Sequence, residues 1–255
     1  MKLVDSHCHL EAPEFSGNLE TIITDAENAG VVKLITSSVT WDEWPLSKSI
    51  SDKFRSVEFS IGVHPWYVSE KDLDIRNKLE ASSGNGAIAV GEIGLDRKIE
   101  SPPFELQVKI FEEQMKFAVD ANLPVIIHCR GAFNELIESV NRTGVPDHGG
   151  IIHAFSGSSE IAEILIRKGF SFSIGGTLTY KLSRKRSEVM KLIYPNHFLL
   201  ETDSPDIPPA GTEKPNVPAN ILLNLKAASQ ITGRPEEEIA ENTTENANRI
   251  FGLDI

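Results

Sequence analysis

Five of the seven histidines, His7, His9, His64, His128 and His153, stand at the ends of short apolar runs, and two carboxylates, Glu92 and Asp203, stand in the same kind of place. Imidazole nitrogens and carboxylate oxygens together suit divalent transition metals. His7 and His9 are one residue apart in what reads as extended chain, so their side chains point to one side while Cys8 points to the other. By itself an H-x-H pair is a weak signal and can be a chance pair. Joined by Glu92, His128, His153 and Asp203 it becomes a mixed cluster able to hold metal. His128 and His153 taken singly also read as buried histidines bonded to backbone. Glu92 directly follows Ile88-Ala89-Val90-Gly91, and Asp203 follows Leu199-Leu200-Glu201-Thr202; a carboxylate so placed is costly to bury unless it is paired or bound to metal.

Eight short apolar or β-branched runs supply these ends: Lys2–Asp5, Val32–Thr36, Val57–Gly62, Ile88–Gly91, Val125–Ile127, Gly150–Ile152, Phe170–Ile174 and Phe198–Thr202. Their near-continuous apolar pattern is that of strands buried on both faces. Segments with helical spacing lie between them, such as Val108, Phe111, Met115 and Ala118 on one face. Pro218 suits a first helical position, Gly233 a helix stop, and Pro235 opens a helix whose Glu236, Glu237 and Glu238 complement the N-terminal dipole. Alternation throughout predicts one domain over residues 1–255, a (β/α)8 TIM-type barrel with an extra C-terminal helix. An open doubly wound sheet is the alternative, weakened because no G-x-G-x-x-G follows the first strand. In a barrel, chemistry gathers at the C-terminal ends of the strands, which is where six separate strands bring the candidate residues. The proline-rich stretch from Ser204 to Pro218 reads either as a stiff connector or as a wall or lid over that end.

A net charge of −12 disfavours a broad basic groove for nucleic acid, though a local cationic pocket remains compatible with it. The first ten residues interrupt their apolar character with Asp5, His7 and His9 and do not read as a signal peptide, so a cytoplasmic location without a membrane or an obligate protein partner is expected. Cys8 and Cys129 make neither a metal-finger spacing nor a disulfide framework and read as reduced thiols.

Asp5-Ser6-His7-Cys8-His9-Leu10, Gly62-Val63-His64-Pro65, Gly91-Glu92-Ile93-Gly94-Leu95-Asp96, Pro124-Val125-Ile126-Ile127-His128-Cys129-Arg130, His153-Ala154-Phe155-Ser156-Gly157 and Leu200-Glu201-Thr202-Asp203-Ser204-Pro205 resemble, in order, the successive motifs of the TatD-type metal-dependent hydrolases. Asn216-Val217-Pro218 resembles the next landmark of that family, so the likeness spans nearly the whole chain. The resemblance implies a barrel of the amidohydrolase superfamily, two divalent ions (zinc, magnesium or manganese) and deoxyribonuclease or exonuclease activity. It makes His7, His9 and Asp203 ligands of one ion, His128 and His153 ligands of the other, and Glu92 the bridge, where many superfamily relatives use a carboxylated lysine. Two ions sharing a carboxylate can hold a hydroxide between them and polarise a phosphoryl oxygen. Asp203 beside that hydroxide would be its general base.

His64 is expected to stabilise a phosphate or leaving group, or to be structural against Pro65. Arg130 would pair with a substrate phosphate, or cap a carboxylate such as Asp96. Asp5 and Asp96 are expected to orient ligating imidazoles. Trp66, Tyr67 and Phe155 would stack on unpaired bases or pack the barrel rim. Arg97-Lys98 stands where many family members carry aromatic residues, a departure that counts against base stacking there and against a nuclease, though a basic pair could contact phosphate instead. The expected substrate is an end of single-stranded DNA or RNA. The alternatives are a small phosphoester, ester or amide and, in another class, a non-catalytic protein that keeps metal for stability.

Overall fold

The computed structural model describes residues 1–82 and 84–255. Eight strands run β1 (Leu3–Cys8), β2 (Val31–Ser37), β3 (Val57–Ile61), β4 (Ala89–Asp96), β5 (Val125–Arg130), β6 (Gly150–Ile152), β7 (Phe170–Ile174) and β8 (Phe198–Leu200). They form one parallel sheet in sequence order. The helices between them are α1 (Leu19–Asn28), α2 (Trp44–Lys53), α3 (Ile75–Ser82), α4 (Phe104–Ala121), α5 (Phe133–Thr143), α6 (Ser159–Ile166) and α7 (Arg184–Ile193), followed after β8 by α8 (Ile221–Thr232) and α9 (Glu236–Phe251). This is the expected (β/α)8 barrel with a further C-terminal helix.

Closure of the barrel between β8 and β1 also builds the site. The Ser6 hydroxyl donates to the Leu200 carbonyl at 2.8 Å, and beyond the regular strand the Asp203 N–H donates to the His7 carbonyl at 3.0 Å and the His9 N–H to the Ser204 carbonyl at 2.8 Å. β8 therefore ends at Leu200, before the expected Thr202, because the chain leaves the regular ladder to seam onto β1. Asp203 turns there with φ +56°, a left-handed conformation uncommon outside glycine and concentrated at functional sites.

Two other boundaries move the candidates from strand ends into strands. β1 continues through Cys8, so His7 lies within it, and β4 continues to Asp96 because β5 stays paired with it as far as Arg130. The β4–β5 register shifts between Val90 and Ile93, an irregularity that re-aims Glu92. From α4, buried Gln107 accepts the Asp96 N–H at 2.9 Å, and buried Gln114 accepts the Val63 N–H at 2.7 Å while donating to the Val63 carbonyl at 3.1 Å. Each glutamine satisfies backbone that the sheet leaves unpaired, and so holds the ends of β3 and β4 in place. Phe111, Met115 and Ala118 on the same helix are buried against the barrel; Val108 is partly buried against it.

At the opposite mouth, Val4, Ile35, Ala89, Ile126, Ile151 and Leu199 form an apolar layer from six strands that packs with Ala247, Ile250 and Phe251 of α9. The extra helix thus plugs the N-terminal end, and the polar residues gather at the other. α8 stops at Gly233 in the left-handed conformation, and Pro218 opens a short turn before it, as the helix punctuation predicts. No helix among the described residues is long and apolar enough to cross a membrane.

Gly94 sits where β4 pairs with His128 of β5, at φ +151°, and a Cβ built there would lie 1.9 Å from the His128 carbonyl oxygen. Backbone must move to admit it, so Gly94→Ala is expected to cost on the order of 3 kcal/mol or more. Denaturant unfolding measures this; a midpoint equal to that of the wild type would contradict the packing described.

Candidate metal centre

Glu92 is 2 % exposed at the floor of a cleft of about 830 Å3. Its two oxygens face different groups. Oε2 lies 3.4 Å from His7 Nε2 and 3.4 Å from His9 Nε2, while Oε1 lies 3.1 Å from His64 Nε2, 3.3 Å from His128 Nδ1 and 2.8 Å from His153 Nε2. Asp203 Oδ1 completes the first group at 3.3 Å from His7 Nε2 and 3.4 Å from His9 Nε2. All six residues singled out as metal donors therefore converge, with His64 beside them.

The spacing discriminates between a hydrogen-bonded cluster and a coordination shell. Two donors about 2.05 Å from one ion at tetrahedral angles are about 3.3 Å apart. A hydrogen bond would bring them to about 2.9 Å. The four edges linking His7, His9, Glu92 Oε2 and Asp203 Oδ1 measure 3.3–3.4 Å. His7 Nε2 is moreover buried without a hydrogen-bond partner. Around Oε1 the edges to His128 and between His128 Nδ1 and His153 Nε2 are 3.3 and 3.2 Å, whereas His153 Nε2 stands at hydrogen-bond distance from Oε1, 2.8 Å. Donor type, the spacing around Oε2 and an orphaned nitrogen fit a divalent cation there, and the donor types around Oε1 suit a second.

Hydrogen bonds behind the rings select which nitrogen faces inward. His9 Nδ1 meets the Ser37 carbonyl at 2.8 Å, an acceptor only, so Nδ1 carries the proton and a neutral His9 offers the lone pair of Nε2. His128 Nε2 meets Asp96 Oδ2 at 3.2 Å, which leaves Nδ1 as its donor atom by the same logic. His7 Nδ1 meets the Ser37 hydroxyl at 3.1 Å. His64 is different: the Trp66 N–H donates to its Nδ1 at 3.2 Å, so a neutral His64 holds its proton on Nε2 and donates toward Glu92. That favours a hydrogen-bonding role over ligation.

Charge in the cluster follows from burial set against neighbours. Burial opposes a charge on His9, yet the Asp203 carboxylate beside it and the field of Glu92 outweigh burial and raise the pKa to about 10. Burial likewise opposes a charge on His128, but the Asp96 and Glu92 carboxylates beside it bring it to about 9. For His64 burial prevails over Glu92 and the pKa falls to about 4, so the ring is neutral. Burial raises Asp203 and Glu92, but the surrounding histidines overcome it and hold both well below the usual carboxylate range.

Asp96 behaves as expected, contacting His128 and also accepting from Trp66 Nε1 at 2.7 Å and from Arg130 Nε at 2.9 Å. Arg130 thus caps Asp96, while its terminal amino groups meet no protein acceptor among the described residues. Asp5 departs from expectation. It touches none of the clustered imidazole rings and instead accepts from the Thr202 N–H at 2.9 Å and the Thr202 hydroxyl at 2.5 Å, fixing the segment after β8 that carries Asp203. Of the two readings for Phe155 the packing one holds: its ring is buried between Phe133 and Phe172 and offers no face to a base. Trp66 and Tyr67 line the cleft, 44 % and 51 % exposed. Arg97 pairs with Glu135 over the Phe104 ring.

The 204–218 stretch forms a wall. Asn216, fully buried, donates to the Thr202 carbonyl at 2.9 Å and the Asp206 carbonyl at 3.0 Å, and Pro205, Asp206, Ile207 and Pro208 line the cleft. Two residues escape sequence reasoning. Ser37 supports both His7 and His9 from the neighbouring strand, and nothing in its local sequence marks it. Glu201 accepts the Ala154 N–H at 2.9 Å and the Ser173 hydroxyl behind His153, and burial raises its pKa to about 8. Its signal was available: a second carboxylate within a buried run, two residues before Asp203, needs a partner.

The TatD related DNase family model matches residues 4–252. The uncharacterised metal-dependent hydrolase YjjV of Escherichia coli is 31% identical, with 99% of this chain and 98% of its own length aligned. Its crystal structure superposes with a TM-score of 0.91 over the same shares of the two chains. A human protein named deoxyribonuclease TATDN3 is 31% identical over 98% of this chain and 94% of its own. The Bacillus subtilis metal-dependent hydrolase YabD, also uncharacterised, is 31% identical over 98% and 99%. With the motifs in order, the barrel closed and the donors converged, the chain belongs to the TatD-related DNase family of metal-dependent hydrolases.

Proposed function

We propose that the cluster binds two divalent cations bridged by Glu92, and that the chain hydrolyses phosphodiester bonds at the ends of single-stranded nucleic acid. Glu92 carries this reading, because each of its oxygens turns to a separate set of imidazoles. His7, His9 and Asp203 would hold one ion with Oε2, and His128 and His153 the other with Oε1. An imidazole-rich set suits zinc or manganese better than magnesium. Such a pair of cations supplies Lewis acidity toward a phosphoryl oxygen and lowers the pKa of water.

The chain's own residues provide the rest. Asp203 is ionised, directs Oδ1 to His7 and His9, and is placed to accept the proton of the attacking water as general base. His64, neutral and protonated on Nε2, would turn that proton from Glu92 to a phosphate or leaving-group oxygen when substrate is bound. Arg130, steadied on Asp96 through Nε, keeps its terminal N–H groups for a substrate phosphate. Trp66, whose indole is tethered to Asp96, presents a fixed ring in the cleft against which a base can stack. The human relative's name, a deoxyribonuclease, supports this substrate class.

Turnover of end-labelled single-stranded DNA by metal-reconstituted protein tests the reading, beside a generic phosphodiester and an ester. Stepwise nucleotide release, reduced about 100-fold or more in Glu92→Gln, is the expected outcome. Ester or monoester turnover without DNA cleavage would instead assign a small substrate, and inertness toward all of them a non-catalytic metal protein. Arg130→Ala is expected to raise KM for DNA with little change in kcat; an unchanged KM would remove Arg130 from the substrate site.

Metal removal has a pH signature. His9 and His128 have folded pKa values of about 10 and about 9, above the 6.5 of the free imidazole. Their contribution to stability is therefore full below pH 6.5 and is lost as pH rises through 9 and 10. Chelated protein is expected to lose denaturation midpoint over this range, with zinc or manganese restoring it by replacing the protons. A midpoint in chelator that stays flat from pH 6.5 to 10 would contradict the charge assignment.

A further inference from the structure

Cations around the cleft are mostly paired with neighbouring carboxylates: Arg130 with Asp96, Lys214 with Asp206 and Arg97 with Glu135. One stretch differs. Tyr180-Lys181-Leu182-Ser183-Arg184-Lys185-Arg186 contains four cations and no acid, in a chain whose net charge is −12. Arg184 pairs with Glu188, but Lys181, Lys185 and Arg186 have no carboxylate within 4.0 Å among the described residues. Arg186 is half-buried, with Nη1 sealed from solvent and without a hydrogen-bond partner.

This stretch borders the cleft. Tyr180 and Ser156 both line it. The Lys185 ammonium donates to the Ser156 carbonyl at 2.6 Å, and Ser156 is three residues beyond His153. Three residues of chain span at most about 11 Å, which keeps the cations near the reacting centre. The Tyr180 hydroxyl donates to the Pro208 carbonyl at 2.9 Å, fixing the ring on the proline-rich wall with 40 % of the residue exposed. Leu182 is exposed beside it. A ring, an apolar side chain and unneutralised cations in succession are the elements of a single-strand path, where aromatic faces take bases and cations take phosphates.

We propose that residues 180–186 form the exit track for a single strand whose terminal nucleotide occupies the metal cleft, with Tyr180 facing a base and Lys181, Lys185 and Arg186 contacting the phosphates that follow. The proposal rests on the nucleic-acid reading of the preceding subsection and adds where the rest of the strand runs. The acidic average surface repels a polyanion, so a local reversal of sign next to the cleft sets the direction of approach. A substrate that ends inside the cleft does not reach it.

The test compares wild type with the double variant Lys181→Ala, Lys185→Ala, both metal-loaded, on a long single-stranded DNA oligonucleotide and on a dinucleotide. Both lysines are exposed, so the thermal midpoint should match that of the wild type. For the long strand, KM is expected to rise about fivefold or more at low salt with kcat within about twofold, and the slope of log kcat/KM against log salt to become shallower by about 1.4, since each lost phosphate contact removes about 0.7. Dinucleotide KM should not move. Unchanged long-strand KM and salt slope, in a protein whose wild type cuts that strand, would overturn the track and leave the nuclease reading intact. Wild type that releases nucleotides from neither substrate would overturn the nuclease reading and the track with it.

Discussion

A carboxylate sealed from water must be neutralised where it lies, and Glu92 imposes that condition on the whole C-terminal end of the barrel. Five imidazole nitrogens stand within 3.4 Å of its two oxygens, contributed by four strands or the loops that follow them. No local stretch of chain could gather them. Closure of the sheet brings the first and eighth strands together, and the same seam that joins Asp203 to the His7 carbonyl places the Asp203 side chain against His7 and His9. Forming the barrel and forming the centre are one event.

Behind the donors lies a layer of hydrogen bonds that determines which atoms they present. Ser37 supports two rings, Asp96 a third, and the backbone of Trp66 sets the proton on His64. Gln107 and Gln114 hold the strand ends that carry Asp96 and lead to His64. The opposite mouth, plugged by apolar residues of α9, contributes none of this and is free to serve packing alone. That division lets the cleft keep a dense set of polar groups, and a left-handed Asp203, without loosening the core.

The donor residues were legible because a barrel places chemistry where apolar runs end, and histidines and carboxylates in those places lack a cheaper explanation. The strand limits were less so: β4 runs on to Asp96 through pairing with β5, and β8 stops early to seam onto β1, both outcomes of partners distant in sequence. Ser37 stayed invisible for the same reason, since it meets His7 and His9 across a register that composition does not encode. Asp5 sits next to a donor motif and reads as its support, yet its carboxylate turns to Thr202, just beyond the end of the eighth strand. Phe155 and Trp66 have the same kind of sequence neighbourhood beside a histidine; only the loop path decides that one ring enters the core and the other the cleft.

Anomalous diffraction from crystals of the protein loaded with zinc or manganese tests the central claim most directly. Two peaks are expected, one on the side of Glu92 Oε2 among His7, His9 and Asp203 and one on the side of Oε1 between His128 and His153. A single peak, or two that do not share Glu92, would contradict the bridged centre on which the account of this cleft is built.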